Sequence, residues 1–269
     1  MRILKIALIA LLVVVSILFC VTTANRYLSG SHIPPTIQCA SDTLEISVSE
    51  DESAYLAGVT ASDKQDGDLT GRILIQGISK LITNDTAKVS YIVFDRDGNA
   101  ATASRMVRYT DYERPTFSVS QPLVYTENQD IRLLDRVNAK DCMDGDITQS
   151  IRVSSMAATA DPEVQTVTVQ VTNSMGDTAQ QLLPLVVYSG TVVRPDVLLT
   201  DYLIYLEQGD SFDPSRYLVS VHTPIGPGNT GDVQITGSVD TSVPGTYFVY
   251  YRYPYSITVG LTVLTVVVE

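Results

Sequence analysis

The sequence predicts an all-β protein: three tandem β-sandwiches behind an N-terminal transmembrane helix. Three observations carry that expectation. Residues 61–70 (ASDKQDGDLT) return as residues 139–148 (AKDCMDGDIT), so that Asp63, Asp66, Gly67, Asp68 and Thr70 each recur 78 residues later. Self-similarity at a fixed period marks an array of like units. Three Pro-led segments, Pro35-Thr36-Ile37, Pro115-Thr116-Phe117 and Pro195-Asp196-Val197, open those units 80 residues apart. Within them the apolar residues recur with a period of two, the signature of half-buried strands.

The elements follow in chain order. Residues 1–5 (MRILK) carry two positive charges, and Ile6 to Asn25 carries none before Arg26. Twenty apolar residues in a helix span about 30 Å, one hydrocarbon core. Basic residues before the run and acidic ones after it place residues 1–5 in the cytoplasm and the remainder outside. The expected location is therefore the cell membrane, with one span and an extracellular C-terminal part. A cleaved signal peptide competes with this anchor, because Thr22 and Ala24 stand at the −3 and −1 positions of a cut before Asn25. Cleavage near Ala24 would make the protein secreted.

The expected boundaries are residues 1–30 for the cytoplasmic start and anchor, then 33–112, 113–192 and 193–269 for the three modules. A proline at each start fixes φ and cannot donate to a ladder, which suits a linker or the first residue of an edge strand. Val89, Tyr91 and Val93 alternate with polar or smaller residues in the first module. Val167, Val169 and Val171 do so in the second, and Tyr247, Val249, Tyr251 and Tyr253 in the third. Turn clusters such as Asp97-Gly98-Asn99 and Pro244-Gly245 separate the runs. About seven short strands in some 80 residues make a sandwich with Greek-key connections.

The pattern A-x-D-x-x-D-G-D-[LI]-T-x-x-I, followed by Y-x-V-x-D-x-x-G-N-x-A, resembles the bacterial immunoglobulin-like repeats of Gram-positive surface proteins, which are similar in style to hyalin repeats. The first module matches from Ala61 to Ile73 and again at Tyr91, Val93, Asp95, Gly98, Asn99 and Ala101. The second matches from Ala139 to Ile151, but Asn173 stands for the aspartate and Asp177 for the asparagine. The third diverges most. It keeps a V-D-T-x-x-P-G-T-Y hairpin (Val239 to Tyr247), whereas Pro224 to Gly231 replaces the D-G-D segment. The resemblance implies an immunoglobulin-like sandwich for each module and a place on the cell surface.

Composition excludes some functions. Eighteen basic and 30 acidic residues give a net charge of −12, and every acidic residue follows residue 26. Such a surface repels nucleic acid. Three cysteines, Cys20, Cys39 and Cys142, fall in different segments and form no disulfide framework. His32 and His222 are the only histidines, and no metalloprotease, nucleophile-elbow or phosphate-loop motif is present. No catalytic constellation is visible, so the expectation is a protein that is not an enzyme.

Two residue groups remain as candidate sites. Asp63, Asp66, Asp68 and Asp95, with Asp141, Asp144 and Asp146 in the second module, supply hard oxygens that calcium accepts. The competing reading is a locked turn, in which the carboxylates bond to nearby backbone and glycine supplies an unusual φ. The twelfth residue counted from Asp63 is Leu74 and from Asp141 is Arg152, so neither loop is an EF-hand. Tyr247, Tyr250, Tyr251 and Tyr253 form the candidate ligand platform, aromatic faces with polar tips on the divergent module. Tyr247, Tyr251, Tyr253 and Tyr255 share one face of a regular strand, where core packing against the opposite sheet is the alternative. The expected role is structural, adhesive or ligand-presenting, with the membrane, a cell-wall glycan or a surface protein as partner. The alternative is a secreted, calcium-stabilised carbohydrate-binding protein.

Overall fold

The computed structural model describes residues 2–29, 33–127, 129–190 and 192–269, with side chains of the N-terminal helix described for residues 9–24. His32 lies outside the described residues. The chain is mostly β-sheet in three sheet pairs, after one helix, α1 (Arg2–Ser29). Leu, Val, Ile and Ala dominate α1, and its described side chains are exposed all round. Among the described residues no helix is long and apolar enough to cross a membrane. Contacts divide the chain into two compact units, residues 1–110 and 111–269.

Unit one holds seven strands: β1 (Thr36–Cys39), β2 (Thr43–Ile46), β3 (Val59–Asp63), β4 (Gly67–Asp68), β5 (Leu74–Ile78), β6 (Thr86–Phe94) and β7 (Ala100–Tyr109). They form sheets β1-β3-β4 and β2-β7-β6-β5. All pairs are antiparallel except β2 with β7, which are parallel from Thr43↔Met106 to Ile46↔Tyr109. The alternating residues Val89, Tyr91 and Val93 of β6 are fully buried between the sheets, with Val59, Ala61, Leu69 and Ile73 opposite. Apolar burial of this kind supplies roughly 1.5–3 kcal/mol per large side chain. Arg105 is buried here as well. Its Nε donates to the Tyr91 hydroxyl at 2.8 Å and its Nη2 to the carbonyls of Tyr55 (3.0 Å) and Ala57 (2.6 Å), which keeps the buried cation solvated by protein dipoles.

Unit two repeats the plan twice. Its strands are β8 (Thr116–Val119), β9 (Val124–Thr126), β10 (Val137–Asp141), β11 (Gly145–Asp146), β12 (Arg152–Ala158), β13 (Val164–Thr172) and β14 (Thr178–Tyr188). The third set is β15 (Asp196–Leu199), β16 (Leu203–Leu206), β17 (Leu218–Thr223), β18 (Gly226–Gly228), β19 (Gln234–Thr236), β20 (Gly245–Tyr255) and β21 (Thr258–Val268). Strand order is the same in all three sets, including a parallel pair, β9 with β14 and β16 with β21.

Inside unit two the second and third modules are docked on one another. The second and third modules share an apolar interface made by the outer faces of their four-stranded sheets. Val164, Val186 and Tyr188 pack against Leu261 and Val263, with Val124, Phe248 and Tyr250 at the margin. The Tyr188 hydroxyl accepts from Leu261 N at 2.6 Å and donates to Leu261 O at 3.2 Å. Arg194 pairs with Glu163 and Arg252 with Asp161, both at 2.8 Å. At the other end Phe117 N donates to the Tyr205 hydroxyl at 3.1 Å. The end of β14 thus meets the start of β21, and the two modules lie side by side in opposite directions.

The physical reason is written along β21. Leu264, Val266 and Val268 face the third module's own core, while Leu261, Val263 and Thr265 face the neighbour, and all six are buried. A strand covered on both faces has a near-continuous apolar run instead of an alternating one. Gly260 admits the linker beside this strand, because a Cβ there would fall 2.3 Å from the Pro195 carbonyl oxygen.

Candidate functional site

The repeated aspartates build two nearly superimposable turns. Asp63 Oδ1 accepts from the amides of Gln65 (2.7 Å) and Asp66 (2.9 Å), and Gly67 follows at φ +75°. Asp68 Oδ1 accepts from Thr70 N at 2.9 Å and opens the short 3₁₀ turn Thr70–Arg72. Thr70 Oγ1 reaches back to accept from Ala61 N at 3.1 Å. Asp66 Oδ2 crosses to the β6–β7 hairpin and accepts from Arg96 N at 2.5 Å. Each carboxylate therefore satisfies amides that a tight turn leaves without a ladder partner.

The second module reproduces these bonds. Asp141 Oδ1 accepts from Met143 N and Asp144 N, both at 2.9 Å, and Asp146 Oδ1 from Thr148 N at 2.9 Å. Asp144 clasps the β13–β14 hairpin through Ser174 N (2.6 Å) and Ser174 Oγ (2.7 Å). Hydrogen bonding from Thr70 and from Thr148 holds Asp68 and Asp146 below the usual carboxylate range. Leu69, Ile73, Ile147 and Ile151 are buried directly beneath the two turns.

Asp95 is buried, and it accepts from Asn99 through both oxygens, at 2.7 Å from the amide and 2.7 Å from Nδ2. Asp63, Asp66, Asp68 and Asp95, and likewise Asp141, Asp144 and Asp146, are engaged with protein donors. Among the described residues no three acidic, histidine or cysteine side chains converge to hold a metal ion.

The exchange of Asp95/Asn99 for Asn173/Asp177 has a local cause. Asp177 faces the linker that opens unit two, where Arg114 donates to both of its oxygens (3.2 and 3.1 Å) and Tyr112 donates at 3.0 Å. Asn173 Nδ2 bridges the Tyr112 hydroxyl (2.8 Å) and the buried Asp141 (3.0 Å). Burial works to raise the Asp177 carboxyl, and the bonds from Arg114 and Tyr112 outweigh it and hold the group below the usual range. The aspartate turn is thereby tied to the linker as well as to its own hairpin.

The tyrosines divide between core and interface. Tyr251 is fully buried and donates to Pro214 O at 2.7 Å. Tyr253 is buried with its hydroxyl against Gly228, where a side chain would collide with it. These two are core residues and offer no platform to a ligand. Tyr250 points the other way, into the margin of the inter-module interface, under the Arg252 guanidinium at 4.9 Å. Tyr247 is half-buried and its hydroxyl donates to Val243 O at 2.8 Å. His222 is exposed on β17, opposite Asp196 of β15 in the ladder.

Sequence reasoning missed a cleft between the second and third modules. It has a volume of about 640 Å³. Its lining mixes Pro115, Ala179, Val267 and Tyr205 with the charged Glu113, Arg114 and Glu269. The only signal in the sequence was the double-sided apolar run of β21, which implies a second covered face and hence a groove beside it.

No protein-family model matches the chain, and no curated protein matches it. Solved structures give matches at low identity. One is the CBM51-2 and INT domains of Clostridium perfringens ZmpB in complex with GlcNAc, 15% identical with a TM-score of 0.24, covering 56% of this chain and 41% of that one. Another is the extracellular domain of protocadherin GammaB4, 14% identical with a TM-score of 0.23, covering 88% and 51%. A third is the lipoprotein BT2262 of Bacteroides thetaiotaomicron, 14% identical with a TM-score of 0.22, covering 86% and 98%. The chain spans about two fifths of the ZmpB fragment. At these TM-scores the likenesses carry no argument about what the chain does.

Proposed function

We propose that this chain is a membrane-held, non-catalytic surface protein whose immunoglobulin-like modules hold and present a contact surface outside the cytoplasm. The observation that carries the reading is the use made of its polar groups. The aspartates, threonines and tyrosines singled out by sequence bond to turns, hairpins and linkers of the same chain, which is what a load-bearing or spacing element requires. The uncharged run from Ile6 to Asn25 between basic flanks supports an N-terminal anchor. The D-G-D phrases support kinship with the repeats of Gram-positive surface proteins. A protein of this kind takes a cell-wall glycan or another surface protein as partner, and the mixed polar and apolar cleft favours a glycan over an anionic ligand, because Arg114 in its lining is already neutralised by Asp177.

The test is fractionation of cells that express the full chain, with protease added from outside and the N-terminus read on the recovered protein. The expected result is a membrane-bound chain that begins at residue 1–2 and loses its modules to external protease. A soluble chain beginning at Asn25 would replace the anchor with secretion. Protection of the modules from external protease in intact cells would refute display altogether.

A further inference from the structure

The tip of the third module breaks the rule that the first two obey. There, an aspartate on one turn clasps the facing hairpin: Asp66 with Arg96 N, and Asp144 with Ser174. In the third module the corresponding turns are the β17–β18 turn, which closes at Thr223↔Gly226, and the β20–β21 turn, which closes at Tyr255↔Thr258. The first turn keeps its shape without the acid, since Thr223 Oγ1 donates to Gly226 O at 2.7 Å. The second turns on Ser256 at φ +51°. Their outermost residues are Ile225 and Ile257, 88% and 92% exposed.

Both turns lie at one end of the module. His222 pairs with Asp196, Gly260 abuts Pro195, and Gly228 abuts the Tyr253 hydroxyl. The linker enters at the same end with Val192 and Val193, 57% and 70% exposed. Because the modules run in opposite directions, this is the end of unit two farthest from Tyr112 and Arg114. Residues 223–231 and 253–268 contain no charge, in a chain of net charge −12. Of the surrounding charges, Arg252–Asp161 and Arg194–Glu163 neutralise each other, and the exposed Asp196 stands opposite His222 at the base of the first turn.

We propose that this apex inserts its isoleucines into the surface of a zwitterionic lipid bilayer. An acid retained in two modules and replaced by a bare aliphatic side chain in the third complements hydrocarbon, not solvent. Two separate prongs on short turns frame no groove for a peptide, whereas a bilayer asks only for protruding apolar groups without charge. The acidic body disfavours anionic lipid, which selects a neutral headgroup surface. This lipid contact is independent of the N-terminal run.

The chain has no tryptophan, so one introduced residue is a clean reporter. I225W and I257W are compared with V243W, an exposed residue before β20 at the opposite end of the module. The full chain is reconstituted in phosphatidylcholine vesicles whose acyl chains are brominated, or in plain vesicles to which brominated ones are then added. Circular dichroism melts verify that each variant folds. The expected result is a blue-shifted emission and at least twofold quenching for I225W and I257W, with V243W unchanged. Quenching in the first arm identifies the same bilayer, and in the second a facing one. Apex reporters that match V243W in both arms overturn the proposal, as does protection from aqueous iodide without bromine quenching, which would mean that protein covers the apex. Flotation reports N-terminal attachment separately, so a chain that does not float still has its apex scored by added vesicles.

Discussion

Tyr188 offers the sharpest test of the docked pair. Replacing it with phenylalanine keeps the ring under the Arg194 guanidinium, 4.1 Å away, and removes only the hydroxyl. Leu261 N then loses an acceptor at 2.6 Å inside a buried interface, and the Leu261 carbonyl loses a donor at 3.2 Å. Leaving one buried amide unsatisfied costs about 1–3 kcal/mol, so about 2 kcal/mol is expected here. For a unit of this size that is roughly 4–8 °C in Tm. The matched control is Tyr247→Phe, whose hydroxyl bonds an exposed carbonyl that water can reach, with an expected cost below about 0.5 kcal/mol. Thermal melts by circular dichroism give the magnitude, and hydrogen exchange of the Leu261 amide gives the location. A Y188F chain with unchanged Tm and an equally protected Leu261 amide would refute the docked arrangement. The wild-type hydroxyl carries its own pH signature: burial pushes Tyr188 up to about 12. A raised tyrosine pKa stabilises the folded state below the unfolded value near 10, and that share is lost as pH rises toward 12.

The other predictions concern the turns and the linker. Gly145→Ala and Gly67→Ala meet open space but a left-handed φ of +70° and +75°, so each should destabilise by about 1 kcal/mol, read as a shifted urea midpoint. Asp144→Ala should cost about 1–2 kcal/mol and raise hydrogen exchange at the β13–β14 hairpin, because it frees Ser174. Asp177 sits below its unfolded pKa, so its contribution is complete above that value and is lost as pH falls through the folded one; Asp177→Asn should remove that part of the acid sensitivity in pH-dependent melts. Millimolar calcium and chelator should leave the melting temperature of the full chain unchanged, since the turn carboxylates already hold amides; a rise of several degrees with calcium would contradict the locked-turn account.

Much of the fold was legible in the sequence, for physical reasons that can be named. The period of two in β6 and β13 marked Tyr91 and Val169 as inward-facing, because a strand between two sheets must alternate; in β20 the same period left Tyr251 between a ligand platform and the core, and the structure places it in the core. The D-G-D phrase read as a turn because aspartate and glycine each answer a backbone need. The docking of the last two modules was not legible, although half of its signal was present. The run ending in Val266, Val267 and Val268 says that both faces of β21 are covered, but nothing local says by what; the cover comes from Val186 and Tyr188, some 80 residues earlier. Tyr250 was grouped with Tyr251 and Tyr253, yet adjacent strand residues point to opposite faces, and it packs toward the neighbour. The swap of Asn173 and Asp177 is visible in the sequence, but its cause is not, because Arg114 and Tyr112 lie some 60 residues away.

The parallel pairing of an early strand with the last strand of each module bears on how tension would travel. In the first module β2 and β7 leave in opposite directions, so a pull on the two flanking segments drags Thr43–Ile46 lengthwise past Met106–Tyr109. The bonds between them are loaded together along the strand axis instead of opening one after another from an end. The same holds for Val124–Thr126 against Val186–Tyr188 and for Leu203–Leu206 against Thr265–Val268. Each sandwich is thus a shear joint, whose paired end strands resist a lengthwise pull together.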